Sequence, residues 1–371
     1  MIRFIHTADW QIGMKASGLG AAAQVVRDAR LDSIKRLVQL ANEKSAELML
    51  ITGDVFEDNA VDRLLVRKVW QLLSGFQGKV FITPGNHDPL TPGCVWDHPV
   101  WEESANITVI RDKNPIELAN CVIYPAPLKE KYSTRNPVAW MQAQDCAHIA
   151  IGMAHGNVEG LPDVEPDFPI PQNAAETAGL DYLGIGHWHS YAPYKDGKAA
   201  IRMAYAGTHE TTKFGERDSG NALLVEIAAR GAAPVIEVLP TGSLTWHSME
   251  QSLESPGELK ALISQLNGMS TPERRLVRLR LKGLLFASDR GDLEYLGEIL
   301  TTRFLFGELI ADALTPAPED DAWIEDLPVG ALREAAETIR QQALHGADER
   351  TRAVATRALL ELFDSKEKAA S

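Results

Sequence analysis

Asp9, Asp54, Asn86, His155, His187 and His189 are of the types that hold metal ions, and each stands at the end of a short apolar run. Ile2 to Thr7 leads into Asp9, Leu48-Met49-Leu50-Ile51-Thr52 into Gly53-Asp54, and Val80-Phe81-Ile82-Thr83 into Gly85-Asn86-His87-Asp88. Ile149-Ala150-Ile151-Gly152-Met153-Ala154 leads into His155-Gly156, and Tyr182-Leu183-Gly184-Ile185 into Gly186-His187-Trp188-His189. Taken singly, a polar residue at such a place more often caps a helix or sits in a solvated loop. Together they mix carboxylate, amide and imidazole donors in a way that suits Mn²⁺, Fe or Zn²⁺. Asp54 is the natural bridge, because a carboxylate has two oxygens to share between ions. Asn86 offers a neutral carbonyl oxygen, and His87 beside it stays free for proton chemistry.

The elements that must position these groups follow from the same runs. Apolar throughout and rich in branched residues, they read as strands buried on both faces. Between them, Arg30 to Ala46 carries Leu31, Ile34, Leu37, Val38 and Leu40-Ala41 near helical spacing, and Arg63 to Phe76 reads as a second helix. Strand and helix in alternation imply an α/β fold with reactive groups at the carboxyl ends of the strands. Met203 to Gly207 and Ala222 to Ile227 look like further strands, closing this part near residue 240. A smaller unit follows. Leu276-Val277-Arg278-Leu279-Arg280-Leu281-Lys282 alternates like a half-exposed strand, flanked by helices over Glu258 to Leu266 and Asp292 to Thr302. Thr315 to Asp321 reads as a stiff acidic linker. Val329 to Leu344 and Arg350 to Phe363 read as two amphipathic helices, with Leu332, Ala336 and Ile339 on one buried face and Ala355, Leu359, Leu362 and Phe363 on the other. Lys366 to Ser371 reads as a frayed tail.

At 371 residues the chain exceeds one average core, and it should divide into two or three domains. A net charge of −14 argues against binding nucleic acid through the overall field. It does not exclude such a substrate, because bound cations can place positive charge where phosphate sits. Cys94, Cys121 and Cys146 form no CxxC pair and read as free thiols of a reducing compartment, so a cytoplasmic location is expected. No signal peptide and no membrane span is legible.

The motifs Asp9-Trp10-Gln11, Gly53-Asp54, Gly85-Asn86-His87-Asp88, Ala154-His155-Gly156 and Gly186-His187-Trp188-His189 resemble the ordered motif set of calcineurin-like metallophosphoesterases. Within that superfamily, His6-Thr7-Ala8-Asp9-Trp10 is similar to the opening of the SbcD-type nucleases of double-strand-break repair, and Ile51-Thr52-Gly53-Asp54-Val55-Phe56 to their second motif. Ala206-Gly207-Thr208-His209-Glu210, leading to Phe214-Gly215-Glu216 and Gly220, looks like the region just past their last metal ligand. The resemblance implies a layered β-sandwich flanked by helices over residues 1–240. It also implies a small α+β capping domain over 241–318, then an acidic linker with a C-terminal helical pair over 319–371. It implies two divalent ions, Mn²⁺ first, with Mg²⁺, Fe or Zn²⁺ as options. One would be held by Asp9, residue 11, Asp54 and His189, the other by Asp54, Asn86, His155 and His187. His87 would protonate the leaving alkoxide, with Asp88 orienting its ring. Two cations sharing Asp54 would bind phosphate, activate a water and offset charge in an in-line displacement. The implied function is a DNA exonuclease or endonuclease acting on ends or single strands, with an SbcC-like coiled-coil ATPase as partner and a homodimer near Arg63 to Phe76.

Two departures from the family pattern stand out. Gln11 occupies a position where the family usually has His; its amide oxygen either ligates, holds a water or does neither. Glu57 stands where some relatives place a phosphate-touching His; its charge would repel phosphate there, and it reads first as a solvated loop carboxylate beside Asp58. His209 reads as a turn residue or a phosphate contact, and His6 as a sheet-internal hydrogen bonder. Arg278, Arg280 and Lys282 form a basic stripe that either contacts a DNA backbone or is a solvated face paired with acids. The C-terminal helices either dock on the chain's own core or bind the partner. Two competing functions remain: hydrolysis of a small or protein-borne phosphoester, and a DNA-end-binding scaffold whose metal site is weakened by Gln11.

Overall fold

The structure is a computed structural model that describes residues 1–144, 146–160, 167–317 and 322–370. The chain divides into two compact units, Met1–Thr245 and Trp246–Ser371. The strands of the first unit are β1 (Ile2–Thr7), β2 (Leu48–Thr52), β3 (Lys79–Thr83), β4 (Ile107–Val109), β5 (Ile116–Glu117), β6 (Cys121–Pro125), β7 (Ile149–His155), β8 (Tyr182–Gly186), β9 (Ala192–Lys195), β10 (Ile201–Tyr205), β11 (Asn221–Ile227) and β12 (Val235–Pro240). They form two six-stranded sheets, ordered β12-β11-β1-β2-β3-β4 and β5-β6-β7-β8-β10-β9.

Every residue of β2, β7 and β8 is buried, which explains why these runs lack the alternation of a half-exposed strand. Successive side chains still part to opposite faces. Phe4, Leu50, Phe81 and Val225 of the first sheet meet Ile123, Ile151, Met153 and Tyr182 of the second in one shared core. Ile5, Met49, Ile51 and Ile82 turn the other way, under helices α1 (Ala23–Glu43) and α2 (Arg63–Leu73). Val122, Ala150, Leu183 and Ile185 cover the outer face of the second sheet with the short helix α3 (Ala174–Thr177). Each such aliphatic side chain contributes about 1.5–3 kcal/mol by leaving water. The expected α/β fold, layered sheets flanked by helices, is the one observed. Helix α1 begins well before Arg30, because Val26 and Ala29 already belong to its buried face. Asp62 caps α2 by accepting from the Leu64 N–H at 2.7 Å.

Strands β1, β2 and β3 run parallel, as do β6, β7 and β8. Their carboxyl ends are therefore where side chains from both sheets can meet.

In the second unit, β14 (Arg275–Leu285) lies between β13 (Thr245–Leu253) and β15 (Phe306–Pro316). Leu276, Val277, Leu279 and Leu281 are buried. Helices α4 (Glu258–Asn267) and α5 (Arg290–Arg303) supply Leu262, Leu266, Leu296 and Leu300 to the same core. Helices α6 (Ala322–Glu325), α7 (Ala331–His345) and α8 (Glu349–Ala370) complete the unit. The expected pieces 241–318 and 319–371 thus fall into one unit, since α8 packs on β15. Thr315 and Pro316, expected in a linker, end β15; the rest of that linker over 318–321 lies outside the described residues. The expected frayed tail is instead helical as far as Ala370, with Ser371 outside the described residues. Helices α7 and α8 pack on each other and around Trp323, Ile324 and Leu327, with the Trp323 and Phe363 rings 5.4 Å apart edge to face. Leu332, expected on the buried face, is 50% exposed, because Ala336 and Ala343 carry that face instead. The three cysteines are free. Among the described residues no helix is long and apolar enough to cross a membrane.

Candidate metal centre

The turns that leave the parallel strands carry the site. Asp9 (φ 54°), Gln11 (φ 44°), Asp54 (φ 53°) and His187 (φ 109°) all adopt left-handed backbone that side chains normally avoid. Non-glycine residues in this region cost on the order of 1–3 kcal/mol each, and here they gather at one place. The turns hold one another: the Asp9 N–H donates to the Gly53 carbonyl at 3.1 Å and the Gln11 N–H to the Asp54 carbonyl at 2.9 Å. Two glycines leave the room that the side chains need. A Cβ on Gly53, itself at φ +92°, would stand 2.2 Å from His155 Nδ1, and one on Gly85 would stand 2.1 Å from Asp54 Oδ1.

Asp9, Asp54 and His155 are buried and place one ligand atom each within 4.8 Å of one another. His155 Nε2 lies 3.3 Å from Asp54 Oδ2 and 2.9 Å from Asn86 Oδ1. His187 Nδ1 lies 3.1 Å from the same Asn86 oxygen and 3.3 Å from His155 Nε2. His155 Nδ1 faces the Thr52 carbonyl at 2.9 Å, a contact that calls for Nδ1–H as donor. In neutral His155, Nε2 then presents a lone pair towards an amide oxygen and a carboxylate oxygen. With the Nε2 proton displaced, an imidazole nitrogen, an amide oxygen and a carboxylate oxygen converge as a divalent cation requires, and the donor set fits one.

The electrostatics point the same way. Burial raises Asp9 to about 6, against the pull of His155 and His189. Burial pushes Asp54 upward too, yet the charge and hydrogen bond of His155 hold it below the usual carboxylate range. Burial opposes the charge on His155, but Asp54 outweighs it and brings the imidazole to about 9. His187 is lowered to about 3 by burial and by His155. Positive charge at this point is stabilised by Asp54 and Asp9, as a bound cation would be.

His189 lies near enough to Asp9 for its charge to act on that carboxyl. Its Nδ1 lies 2.6 Å from Glu216 Oε1, and Glu216 Oε2 accepts the Thr212 N–H at 2.7 Å. The backbone turn at Gln11 lies beside Asp54, and the Gln11 carboxamide makes no hydrogen bond among the described residues.

His87 is half-exposed, with Nδ1 3.0 Å from the Glu57 carbonyl and Nε2 4.0 Å from Asp54 Oδ2. Asp88 does not orient this ring. Its carboxylate accepts from the Gly85 N–H at 2.7 Å and the Phe56 N–H at 3.0 Å, because the turn brings those amides to it. Burial raises Asp88 to about 7. Glu57 enters through its backbone carbonyl. His209 is fully buried, packs on Trp10 at 5.3 Å and meets the Arg30 carbonyl at 2.8 Å, so it reaches no phosphate. His6 lies inside the sheet between Tyr182 Oη (2.9 Å) and Thr52 Oγ1 (3.0 Å). Arg278 pairs with Glu308 at 2.5 Å and Lys282 with Glu250, whereas Arg280 is exposed, makes no close ion pair among the described residues and adds its charge to that of Lys282 on Glu250.

Several supporting residues had no role assigned to them from the sequence. Arg30, buried within α1, donates to the Trp10 carbonyl (3.0 Å) and the Glu210 carbonyl (2.9 Å), and burial lowers it to about 10. It thereby braces the turn between Asp9 and Gln11. Glu210 accepts from Ser33 Oγ at 2.8 Å and from the Ser243 N–H at 2.7 Å, tying α1 to the chain after β12. The one sequence signal for Glu216 was its place in the segment past the last ligand.

Comparison with curated proteins gives no match. Among solved structures, TT1561 of Thermus thermophilus is 12% identical with a TM-score of 0.41, over 65% of this chain and 99% of that one. A purple acid phosphatase, PPD1, from yellow lupin (Lupinus luteus) seeds has 12% identity and a TM-score of 0.41, over 65% of this chain and 51% of its own. A dimetal phosphatase from Danio rerio has 13% identity and a TM-score of 0.41, over 64% and 99%. None of these values bears on substrate. The family model described as calcineurin-like phosphoesterase matches residues 2–191, just over half of the sequence. This chain belongs to the calcineurin-like phosphoesterases.

Proposed function

We propose that this phosphoesterase hydrolyses phosphodiester bonds of DNA with two divalent ions, Mn²⁺ foremost, held by Asp9, Gln11, Asp54, Asn86, His155, His187 and His189. The observation that carries the diester reading is His87: half-exposed, fixed through Nδ1 on the Glu57 carbonyl and turned with Nε2 towards Asp54. A group so placed can donate its Nε2 proton to an alkoxide, the leaving group that most needs one. Bound divalent ions would supply Lewis acidity towards phosphate oxygens and a nucleophilic water at neutral pH. Asp54 would be shared between them, and the left-handed turns at Asp9, Gln11 and Asp54 would hold the donors ready. DNA as the diester is supported by the SbcD-like residues His6 to Trp10 and Ile51 to Phe56.

The second reading, a small or protein-borne phosphoester, is favoured by one observation: Glu308 and Glu250 already pair two cations of the basic stripe. Cleavage of end-labelled single- and double-stranded DNA in Mn²⁺, in Mg²⁺, with chelator and by His87→Ala tests both. Cleavage that requires metal and His87 supports the nuclease. Turnover of bis(p-nitrophenyl) phosphate without DNA cleavage moves the assignment to the small substrate. Inactivity that Gln11→His reverses marks a scaffold with a weakened site.

A further inference from the structure

The supports beneath the histidines of the centre differ in charge. His155 Nδ1 leans on the neutral carbonyl of Thr52 at 2.9 Å. His189 Nδ1 leans on the carboxylate of Glu216 at 2.6 Å, with Thr212 Oγ1 at 3.2 Å. The Glu216 side chain is 5% exposed and also takes the Thr212 N–H at 2.7 Å, so the carboxylate is held from both ends of its turn. Such a support fixes the tautomer with Nδ1–H, leaves the Nε2 lone pair for an ion and makes the imidazole a stronger donor. The charged support lies on the flank assigned to Gln11, whose amide oxygen is a weaker donor than imidazole for a borderline ion. Glu216 thus places negative charge behind His189, the imidazole that shares its assigned site with Gln11.

We propose that Glu216 is a positioning residue that lets the ion site of Asp9, Gln11, Asp54 and His189 fill, compensating through His189 for the imidazole that Gln11 replaces. The proposal rests on the metal-centre reading above. It makes the two ion sites depend on different supports: loss of the Glu216 charge loosens one ion and spares the one on Asn86, His155 and His187.

The test is Mn²⁺ titration by calorimetry, read together with the electron paramagnetic resonance of bound Mn²⁺, on the wild-type chain, Glu216→Gln, Gln11→His and the double variant. Expected are two ions on the wild type with an exchange-coupled signal. Glu216→Gln keeps one tight ion, binds the second about 10- to 100-fold more weakly and shows the signal of isolated Mn²⁺. Gln11→His in the Glu216→Gln background restores the second ion. Two tight ions on Glu216→Gln, or a double variant no better than the single one, overturn the role of Glu216 and leave the metal centre standing. Fewer than two ions on the wild type overturn the metal-centre reading and this inference with it. Loss of both ions from Glu216→Gln, with a lower melting temperature in chelator, makes Glu216 structural and overturns the proposal. Glu216→Asp, which keeps the charge on a shorter arm, should retain more of the second ion than Glu216→Gln.

Discussion

His87 Nδ1 stands 3.0 Å from the carbonyl oxygen of Glu57, so the ring is held by a backbone acceptor and not by a side chain. The contact commits Nδ1–H and leaves Nε2 to exchange the proton that a leaving group needs. His87→Ala should therefore lower kcat by about 10²–10⁴-fold while Mn²⁺ binding persists. Because only the Glu57 backbone is used, Glu57→Ala should change kcat little. Steady-state kinetics on a diester, with calorimetric Mn²⁺ titration, checks both; loss of metal binding in His87→Ala would make it a ligand instead.

Asp88 serves the turn. It accepts two backbone N–H groups while fully buried, one of them from Gly85, whose close approach to Asp54 the site requires. Asp88→Asn replaces one acceptor oxygen with a donor and leaves an amide unpaired, costing about 1–3 kcal/mol. Urea denaturation in chelator should show this loss. An unchanged midpoint would return Asp88 to a role at the ring of His87.

The contrast between His87 and Asp88 shows what could be read beforehand. That both residues close β3 beside Asn86 was legible, because a run buried on both faces must end where Gly85 permits a turn. Which way each side chain points depends on the amides of Gly85 and Phe56, and residue types do not display those. Strands β2, β7 and β8 were legible for the same reason of burial. Strands β4, β5 and β9 escaped because they are short and partly exposed. Arg30 and Glu210 had no supporting role legible in residue type, because their burial is tolerable only where distant carbonyls, hydroxyls and amides satisfy them. Composition marks a linker near residue 318 but does not display the packing of α8 on β15.

His6 predicts a pH dependence that does not involve metal. Burial lowers it to about 3, while the ordinary value is 6.5. Between these values the unfolded chain binds the proton and the folded chain does not, so the folded state loses stability as pH falls from 6.5 towards 3. Above 6.5 both states are neutral and the contribution is flat. His6→Asn in metal-free protein should flatten this limb relative to wild type, read from urea midpoints at pH 5 and pH 7. Equal slopes in the two proteins would contradict the account.

Metal should stabilise the fold through the convergence on Asp54. An ion present at 100 times its Kd adds about 2.7 kcal/mol to a site formed only in the native state. For a unit of this size that corresponds to roughly 5–10 °C. Thermal melts should rise by this order in Mn²⁺ and fall back in chelator. Asp54→Asn, which weakens the shared carboxylate, should lose most of the shift. A shift that survives in Asp54→Asn would place the bound ion elsewhere.

Arg280 separates the substrate readings. Its neighbours Arg278 and Lys282 have glutamate partners, with the Lys282 and Glu250 side chains 52% and 54% exposed, so those pairs contribute little to stability and open readily. Arg280 is the exposed member of the stripe that makes no close ion pair among the described residues, although its charge adds to that of Lys282 in lowering Glu250. If the chain binds a DNA backbone there, each phosphate neutralised adds about 0.9 to the slope of log K against log salt. Arg280→Ala should then weaken binding of any DNA sequence alike and reduce that slope by about 1. Turnover of bis(p-nitrophenyl) phosphate should be unchanged, since a small diester needs no such contact. Fluorescence-anisotropy titrations across a salt series give the slope. An identical slope in both proteins would remove the stripe from the DNA reading and leave its charges as cross-strand pairs of a solvated sheet.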